Sequence, residues 1–192
     1  EAWKNPDFLA SPDARLLRII SEYLEPAARF KKYNVHNTIV FWGSARIKSP
    51  GEAQELLKKA KKEKKGVDAA EKLVNLSAYY SDAEKLAHLM TEWSKKLEHE
   101  QHFIVCTGAG PGIMEAANKG ASKAGGKTMG LGIALPFETD HNKYITRELG
   151  IQFHYFFMRK FWMVYLAKAL VAFPGGFGTI DELSEVLTLL QT

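Results

Sequence analysis

The sequence predicts an α/β fold, a Rossmann-like doubly wound parallel sheet with helices on both faces. Short apolar runs alternate along the chain with stretches of helical periodicity, the pattern of repeated strand and helix units. Two of these runs, 103–106 and 170–173, lead directly into glycine-rich turns that precede a helix. Parallel strands end at one edge of a sheet, so we expect both turns at that edge, where α/β proteins bind ligands.

The composition is that of one globular domain. The 192 residues are 46% hydrophobic and 25% charged, and the net charge of +4 comes largely from lysines between 58 and 65. No aromatic platform accompanies these lysines, so we expect a solvated helix face and no nucleic-acid partner. The only cysteine, Cys106, lies in an apolar run, which indicates a buried thiol and a reducing compartment. No apolar run is long enough for a membrane span or a signal peptide, so we expect a cytoplasmic location and no membrane partner.

The chain divides into a helical arm, 1–35, and a sheet domain, 36–192. In the arm, Ser11 is expected to cap a helix that has Pro12 at its first position, and Pro26 is expected to interrupt or kink that helix. The first buried strand, 38–42, then ends in a turn of small residues with an arginine. We expect this turn to bring backbone N–H groups, a hydroxyl and a guanidinium to the sheet edge, from Gly43, Ser44 and Arg46. The alternative is a plain loop with a surface arginine.

The middle of the chain contains two long helical stretches and the second glycine turn. The helices span about 52–65 and 70–100, with a break expected near Ser81, and their histidines lack the spacing of a metal site. The strand 103–106 then leads into Gly108, Gly110 and Gly112. This spacing matches neither the dinucleotide-binding fingerprint nor the P-loop, which argues against NAD and against kinase-type chemistry.

Two further strands, 128–134 and 151–156, complete the predicted sheet before the last unit. An amphipathic helix opens at 158–160, and its apolar residues within 159–168 are expected to supply bulk for the core. The strand 170–173 is expected to be buried on both faces, and the turn after it feeds a helix with an apolar stripe. A glycine turn at a helix N-terminus is an anion site. The alternative is a capping box between Thr179 and Glu182.

Three stretches together, GAGPGIME at 108–115, MRK at 158–160 and PGGFGTIDE at 174–182, resemble the LONELY GUY family, long labelled "lysine decarboxylase". The resemblance covers about 38–192, and the segments 43–46 and 135–138 also fit. It implies a phosphoribohydrolase that needs no metal or cofactor. Such an enzyme cleaves the N-glycosidic bond of a nucleoside 5′-monophosphate, such as AMP or N6-isopentenyl-AMP, to free base and ribose 5-phosphate.

The resemblance also implies roles for individual residues. Arg159 and Glu182 correspond to the catalytic pair, and a carboxylate near the ribose stabilises an oxocarbenium-like transition state. The 5′-phosphate is expected at Gly175, Gly176, Gly178 and Thr179. The remaining nucleotide contacts are expected at Gly43, Ser44, Arg46, Gly108, Gly110, Gly112, Glu115, Glu138, Asn142, Met158 and Lys160. For Glu115 the alternative is a first-turn glutamate that stabilises the helix dipole, and for Glu138 and Asn142 a polar surface loop.

Three further expectations follow from the resemblance. The protein is expected to form a homodimer or a higher homo-oligomer, with 159–168 as the interface. Decarboxylation would call for pyridoxal phosphate on a lysine, and the sequence singles out no such lysine. The alternative function is a non-catalytic carrier of a nucleotide or of the molybdenum cofactor on the same fold.

The chain departs from the family pattern in three places. Ala109 stands where a third glycine is commoner. The arm and the long segment 51–79 exceed the compact plant-type enzymes and suggest a larger bacterial member of the family. The family continues with another strand and helix after the position of Thr192, so we expect the sequence to be part of a longer protein.

Overall fold

The structure, a computed structural model, describes residues 1–98, 101–134 and 141–192 and contains a five-stranded parallel sheet. The strands are β1 Asn37–Trp42, β2 Phe103–Thr107, β3 Thr128–Ile133, β4 Gly150–Phe153 and β5 Ala167–Ala172. The helices are α1 Pro6–Ala10, α2 Arg15–Lys32, α3 Pro50–Glu63, α4 Val67–Ser94, α5 Ile113–Lys123, α6 Phe156–Tyr165 and α7 Phe177–Gln191.

Helices cover both faces of the sheet, which confirms the predicted fold class. Successive side chains of a strand point to opposite faces. On β1, Val40 and Trp42 pack in a cluster with residues of α2 and α6, whereas Ile39 and Phe41 pack with residues of α4 and α5. The apolar run of β1 is therefore a central strand enclosed on both sides.

The strand order, β4-β3-β2-β1-β5, brings the first and last strands together. The chain winds from β1 outwards to β4 and then crosses back to place β5 on the free side of β1, so the order reverses between β1 and β5. The turns after these strands are hydrogen-bonded to each other. Phe173 N–H donates to Trp42 O at 2.8 Å, and Ser44 N–H donates to Pro174 O at 3.1 Å. This reversal point is where open α/β sheets bind their ligands.

The last strand differs from the prediction of a strand buried on both faces. β5 lies at the edge of the sheet, where among the described strands it pairs with β1 alone. Its Lys168 and Ala169 are exposed. The sequence of an apolar run does not reveal whether the neighbouring strand is present, so this prediction was wrong. The predicted helix 159–168 is likewise shifted, because α6 ends at Tyr165 and the following residues form β5.

Two predicted helix interruptions are absent. α4 runs without a break through Ser81, and its Ala83 and Ala87 are fully buried. Packing of this face stabilises the helix more than a cap at Ser81 would. α2 continues through Pro26 as one helix. The residue expected to cap it, Ser11, makes no side-chain cap and precedes a 3-10 turn, Pro12–Ala14.

The surface carries the predicted lysine face, because the lysines between 58 and 65 are all exposed. None of the helices in the described ranges is long and apolar enough to cross a bilayer. Within the same ranges, no group of three or more His, Cys, Asp or Glu side chains is placed to hold a metal ion.

Candidate functional site

The two residues expected to act in catalysis form one ion pair between α6 and α7. Arg159 Nη2 lies 2.7 Å from Glu182 Oε1, and the two side chains are only 12% and 11% exposed. The alternative capping box is not formed. α7 begins after Gly176 without any side-chain cap, and Thr179 lies inside its first turn. Glu182 therefore bonds to another helix and not to its own.

Burial makes the carboxyl of Glu182 a weaker acid than that of an exposed glutamate. Desolvation raises the pKa of this carboxyl above its ordinary value, while the charge and hydrogen bond of Arg159 oppose the rise. A carboxyl whose pKa is raised in this way is suited to proton transfer as well as to charge stabilisation. Nε of Arg159 is buried without a hydrogen-bond partner among the described residues, so the guanidinium holds a donor that Glu182 does not use.

Lys160 strengthens the link between the same two helices. Its ammonium group lies 2.9 Å from Asp181 and 2.5 Å from Glu185. The hydrogen bond to Glu185 raises the pKa of Lys160, and Asp181 adds to the rise. Lys160, expected to contact the nucleotide, is thus engaged with α7. A lysine in this setting keeps its proton, whereas a Schiff-base lysine must lose it.

The turns after β1, β2 and β5 meet at the carboxyl edge of the sheet, beside the ion pair of Arg159 and Glu182. Ser44, after β1, accepts a hydrogen bond from Ile113 N–H at 3.2 Å, which ties it to the start of α5. Gly112 has φ of +72°, and a Cβ there would lie 2.3 Å from Ser44 O. A Cβ on Gly43 would lie 2.7 Å from the side chain of Ile113. Only glycine permits this approach, which explains two of the predicted turn residues.

The turn after β2 is held in a strained shape by two side-chain amides, one fully buried and one half-buried. Ala109 has φ of +69°, a region that L-residues rarely occupy. Its N–H donates to Thr107 Oγ1 at 3.1 Å, and its carbonyl accepts from Asn142 Nδ2 at 3.2 Å. Asn118, which is fully buried, accepts from Thr107 Oγ1 at 2.7 Å and from Asn142 Nδ2 at 2.9 Å. Backbone strain of this kind, fixed by surrounding hydrogen bonds, clusters at functional sites.

This network changes the interpretation of two residues. Asn142 was expected to contact the nucleotide, but its amide bonds the backbone carbonyls of Ala109 and Gly110 and so shapes the turn. Asn118 was missed by the sequence analysis. The signal was present, since an amide stands among small apolar residues on the buried face of α5.

The strained turn lies next to the ion pair of Arg159 and Glu182. A Cβ on Gly108 would be 3.5 Å from Arg159 Nη2. Cys106, just before this turn, is fully buried, and desolvation raises the pKa of its thiol, with the charges of Arg159 and Glu182 acting on it in opposite directions. Cys106 is therefore a core thiol, as the sequence predicts, and is unsuited to nucleophilic attack.

The glycine turn before α7 is open on its outer side. A Cβ on Gly175 would collide with Thr179 Oγ1 at 2.1 Å, so this glycine is required by packing. Gly176 and Gly178 are exposed, and a Cβ on either would meet nothing within 4 Å. The first turn of α7 therefore has uncapped N–H groups and free space beside them, the features of an anion site.

The remaining predicted residues are more dispersed. Glu115 accepts a hydrogen bond from the hydroxyl of Tyr80, on α4, at 3.2 Å. Tyr80 was not predicted, and burial raises the pKa of its hydroxyl, with the charge of Glu115 adding to the rise. Met158 is buried in the core, and Arg46 is exposed. Glu138 lies outside the described residues.

The fold and the three converging turns define a Rossmann-like α/β protein with a candidate ligand site at the point where its strand order reverses. Residues 114–192 match the family model described as "Possible lysine decarboxylase". The match contains Glu115, Arg159 and Glu182, so it confirms the family resemblance over this part of the chain. A search of the curated proteins found no significant match.

Solved structures support the fold. The crystal structure of TM1055, a structural genomics target, is 22% identical and has a TM-score of 0.52, with 80% of this chain and 69% of that chain covered. The molybdenum cofactor carrier protein of Chlamydomonas reinhardtii is 20% identical over 79% of this chain and 70% of that chain, with a TM-score of 0.47. At these identities the first similarity shows a shared fold, and the second is too weak to add to it.

Proposed function

We propose that this protein hydrolyses the N-glycosidic bond of a nucleoside 5′-monophosphate, such as AMP or N6-isopentenyl-AMP. Water adds to C1′ as the bond from C1′ to the base nitrogen breaks, and the base leaves with one proton. The products are free base and ribose 5-phosphate. The observation that carries the proposal is the buried ion pair of Arg159 and Glu182 beside the open first turn of α7.

Glu182 is the catalytic carboxylate in this proposal. Departure of the base leaves positive charge on the ribose ring, and a carboxylate beside it stabilises that charge and orients the attacking water. Arg159 favours the ionised form of Glu182, because its charge and hydrogen bond oppose the effect of burial. The guanidinium donors that Glu182 does not use serve the substrate's phosphate or base.

The 5′-phosphate is assigned to the N-terminus of α7. The N–H groups there are uncapped, and Gly176 and Gly178 leave room for close approach. Glu182 follows Phe177, the first residue of α7, by five positions. At a rise of about 1.5 Å per residue this separates phosphate and carboxylate by about 7.5 Å along the helix, a distance that a ribose spans. Phosphate binding then fixes C1′ next to Glu182.

Lys160, the lysine beside Arg159, does not fit the reaction that the family description names. A decarboxylase using pyridoxal phosphate needs a lysine that gives up its proton to form the Schiff base. Lys160, next to Arg159, is held by Asp181 and Glu185, which raise its pKa. A non-catalytic nucleotide carrier would use the same glycine turns but has no need of the ion pair, so the two functions differ in what Arg159 and Glu182 do.

We further propose that the protein assembles as a homodimer or a larger homo-oligomer through α6 and resides in the cytoplasm. On α6, Trp162 and Met163 are buried, whereas Phe161 and Tyr165 are 38% and 60% exposed and stack on each other. Exposed aromatic side chains of this kind are typical of interfaces. Sedimentation that shows a monomer throughout the micromolar range would contradict the assembly. The cytoplasm suits a free, buried cysteine.

The enzymatic proposal is tested by product release. Free adenine from AMP and free base from N6-isopentenyl-AMP are measured by chromatography, with adenosine and N6-isopentenyladenosine as matched substrates that lack the phosphate. We expect equal amounts of base and ribose 5-phosphate from the monophosphates and none from the nucleosides. Saturable AMP binding without any base release would favour the carrier.

A further inference from the structure

The N-terminal arm reaches the candidate site through Glu22, on α2. The two carboxylate oxygens of Glu22 accept hydrogen bonds from the backbone N–H groups of His154, at 2.6 Å, and of Tyr155, at 3.1 Å. These groups immediately precede α6, and its N-cap residue, Tyr155, makes no side-chain cap of its own. A carboxylate here satisfies N–H groups that the helix leaves unpaired and is stabilised by the helix dipole.

A second hydrogen bond joins Glu22 to α6, at Trp162. Pro26 lies inside α2 and has no N–H, so the carbonyl of Glu22, four residues earlier, lacks its usual helical partner. Trp162 Nε1 donates to that carbonyl at 3.0 Å. The ring of the next residue, Tyr23, lies 5.3 Å from the ring of Trp162. The proline therefore frees an acceptor on α2 that α6 uses.

Arg159 lies between these two points of attachment. Its backbone N–H donates to Tyr155 O at 3.2 Å, so the turn that Glu22 caps is the turn that carries Arg159. The guanidinium must also meet Glu182 on another helix. Misplacing a reacting group by about 1 Å can cost about a hundredfold in rate, so the start of α6 has to be held firmly.

We propose that Glu22 is a positioning residue for Arg159 and acts through the first turn of α6. The kinetic consequence rests on the proposed function. Without the carboxylate, two backbone N–H groups lose their acceptor and the first turn is free to shift. We expect kcat for base release to fall about tenfold and KM to rise by no more than about threefold, because the N–H groups of α7 still hold the phosphate when the contacts of Arg159 weaken.

The test compares Glu22→Ala and Glu22→Gln with a matched control, Glu25→Ala. Glu25 lies one turn further along α2 and pairs with Arg29 of the same helix. The Gln variant should fall between wild type and Ala, since its amide oxygen replaces one acceptor and its amide nitrogen cannot replace the other. The control should leave kcat unchanged. Thermal unfolding of each variant shows that the kinetics are measured on folded protein.

A second measurement does not depend on activity. The side-chain Nε–H signal of Arg159, assigned by its loss in Arg159→Lys, is recorded by NMR without substrate. We expect Glu22→Ala to shift or broaden this signal and Glu25→Ala to leave it in place. If wild type releases no base from any monophosphate, the proposed function fails, and this signal alone decides the role of Glu22. An unchanged Arg159 signal in Glu22→Ala overturns the proposal, as does a wild-type kcat in an active enzyme, because Glu22 would then only stabilise the fold.

Discussion

Arg159 and Glu182 come from the helices that precede and follow β5 in the chain, and their side chains meet at 2.7 Å with little exposure to solvent. The pair has two opposed effects on the carboxylate. Burial favours the neutral form of Glu182, and the guanidinium favours the charged form. The net result is a raised pKa, and the balance between these effects can be measured.

The first prediction concerns that balance. The pKa of Glu182 in the folded protein should lie above about 4.3, the value for an unperturbed glutamate, and it should rise further in Arg159→Gln, where the opposing cation is removed. The side-chain carboxyl ¹³C shift, followed by NMR across an acid titration, reports both values. A lower pKa in Arg159→Gln would show that Arg159 does not stabilise the carboxylate.

The same raised pKa fixes the sign of the pH effects. The folded protein binds this proton more readily than the unfolded chain, so the contribution of Glu182 to stability declines as the pH rises from its unfolded to its folded pKa. Activity changes in the opposite direction. If the ionised carboxylate is required, kcat/KM should fall as the pH drops through the raised pKa.

The second prediction concerns Gly178 and distinguishes an effect on phosphate binding from an effect on stability. Gly178→Ala adds a methyl group that meets no protein atom within 4 Å, at a helical position where alanine is preferred. The variant should unfold at or above the wild-type temperature, whereas its KM for AMP should rise by about tenfold or more because the phosphate loses close approach. Gly51→Ala, in the first turn of α3 with equally open space, is the matched control and should leave KM unchanged. An unchanged KM for AMP in Gly178→Ala would show that the phosphate does not bind at this turn.

The third prediction concerns the meeting of the turns after β1 and β2. Gly112→Ala combines a positive φ with a contact of 2.3 Å to Ser44 O, so we expect the free energy of unfolding to fall by about 2–4 kcal/mol in urea titrations. Gly66→Ala has a similar φ, +69°, but open space around it. It isolates the cost of the backbone conformation, which should be about 1 kcal/mol. Equal losses in the two variants would mean that the approach to Ser44 is not tight.

The fourth prediction addresses the buried amide. Asn118→Ala leaves the Thr107 hydroxyl and the Asn142 amide each without one partner, and it releases the turn that holds Ala109 at positive φ. We expect a loss of about 2–4 kcal/mol in the free energy of unfolding. Asn75→Ala, at an exposed position of α4, should change it by less than about 0.5 kcal/mol. Similar values for the two variants would show that the network contributes little.

The sequence was sufficient for those parts of the site that local chemistry dictates. A glycine between a strand and a helix indicates a turn with backbone N–H groups, and the position of Gly112 and the open turn at Gly176 agree with this. The association of Arg159 with Glu182 was expected only from the family resemblance, because residues 23 positions apart acquire a contact only through the fold. The predicted alternative, a cap for α7, was wrong since that helix begins three residues earlier than a cap at Thr179 requires.

Contacts between distant segments could not be predicted. Glu22 and His154 are 132 residues apart, and nothing local to either indicates that one accepts from the other. Pro26 was expected to interrupt or kink its helix, but α2 continues through it, and Trp162 donates to the carbonyl that the proline leaves without a helical partner. The edge position of β5 was missed for a similar reason, because an apolar run has the same sequence whether one or two strands lie beside it.

The central claim is that Glu182 is needed for chemistry and not for binding. The most direct test measures AMP affinity by calorimetry and base release in a single turnover, with wild type and Glu182→Gln, which keeps the shape and one acceptor for Arg159. We predict affinities within a few fold of each other and a rate of base release at least about a hundredfold lower in the variant. Base release at the wild-type rate by Glu182→Gln would contradict the claim, as would tight AMP binding by a wild-type protein that releases no base.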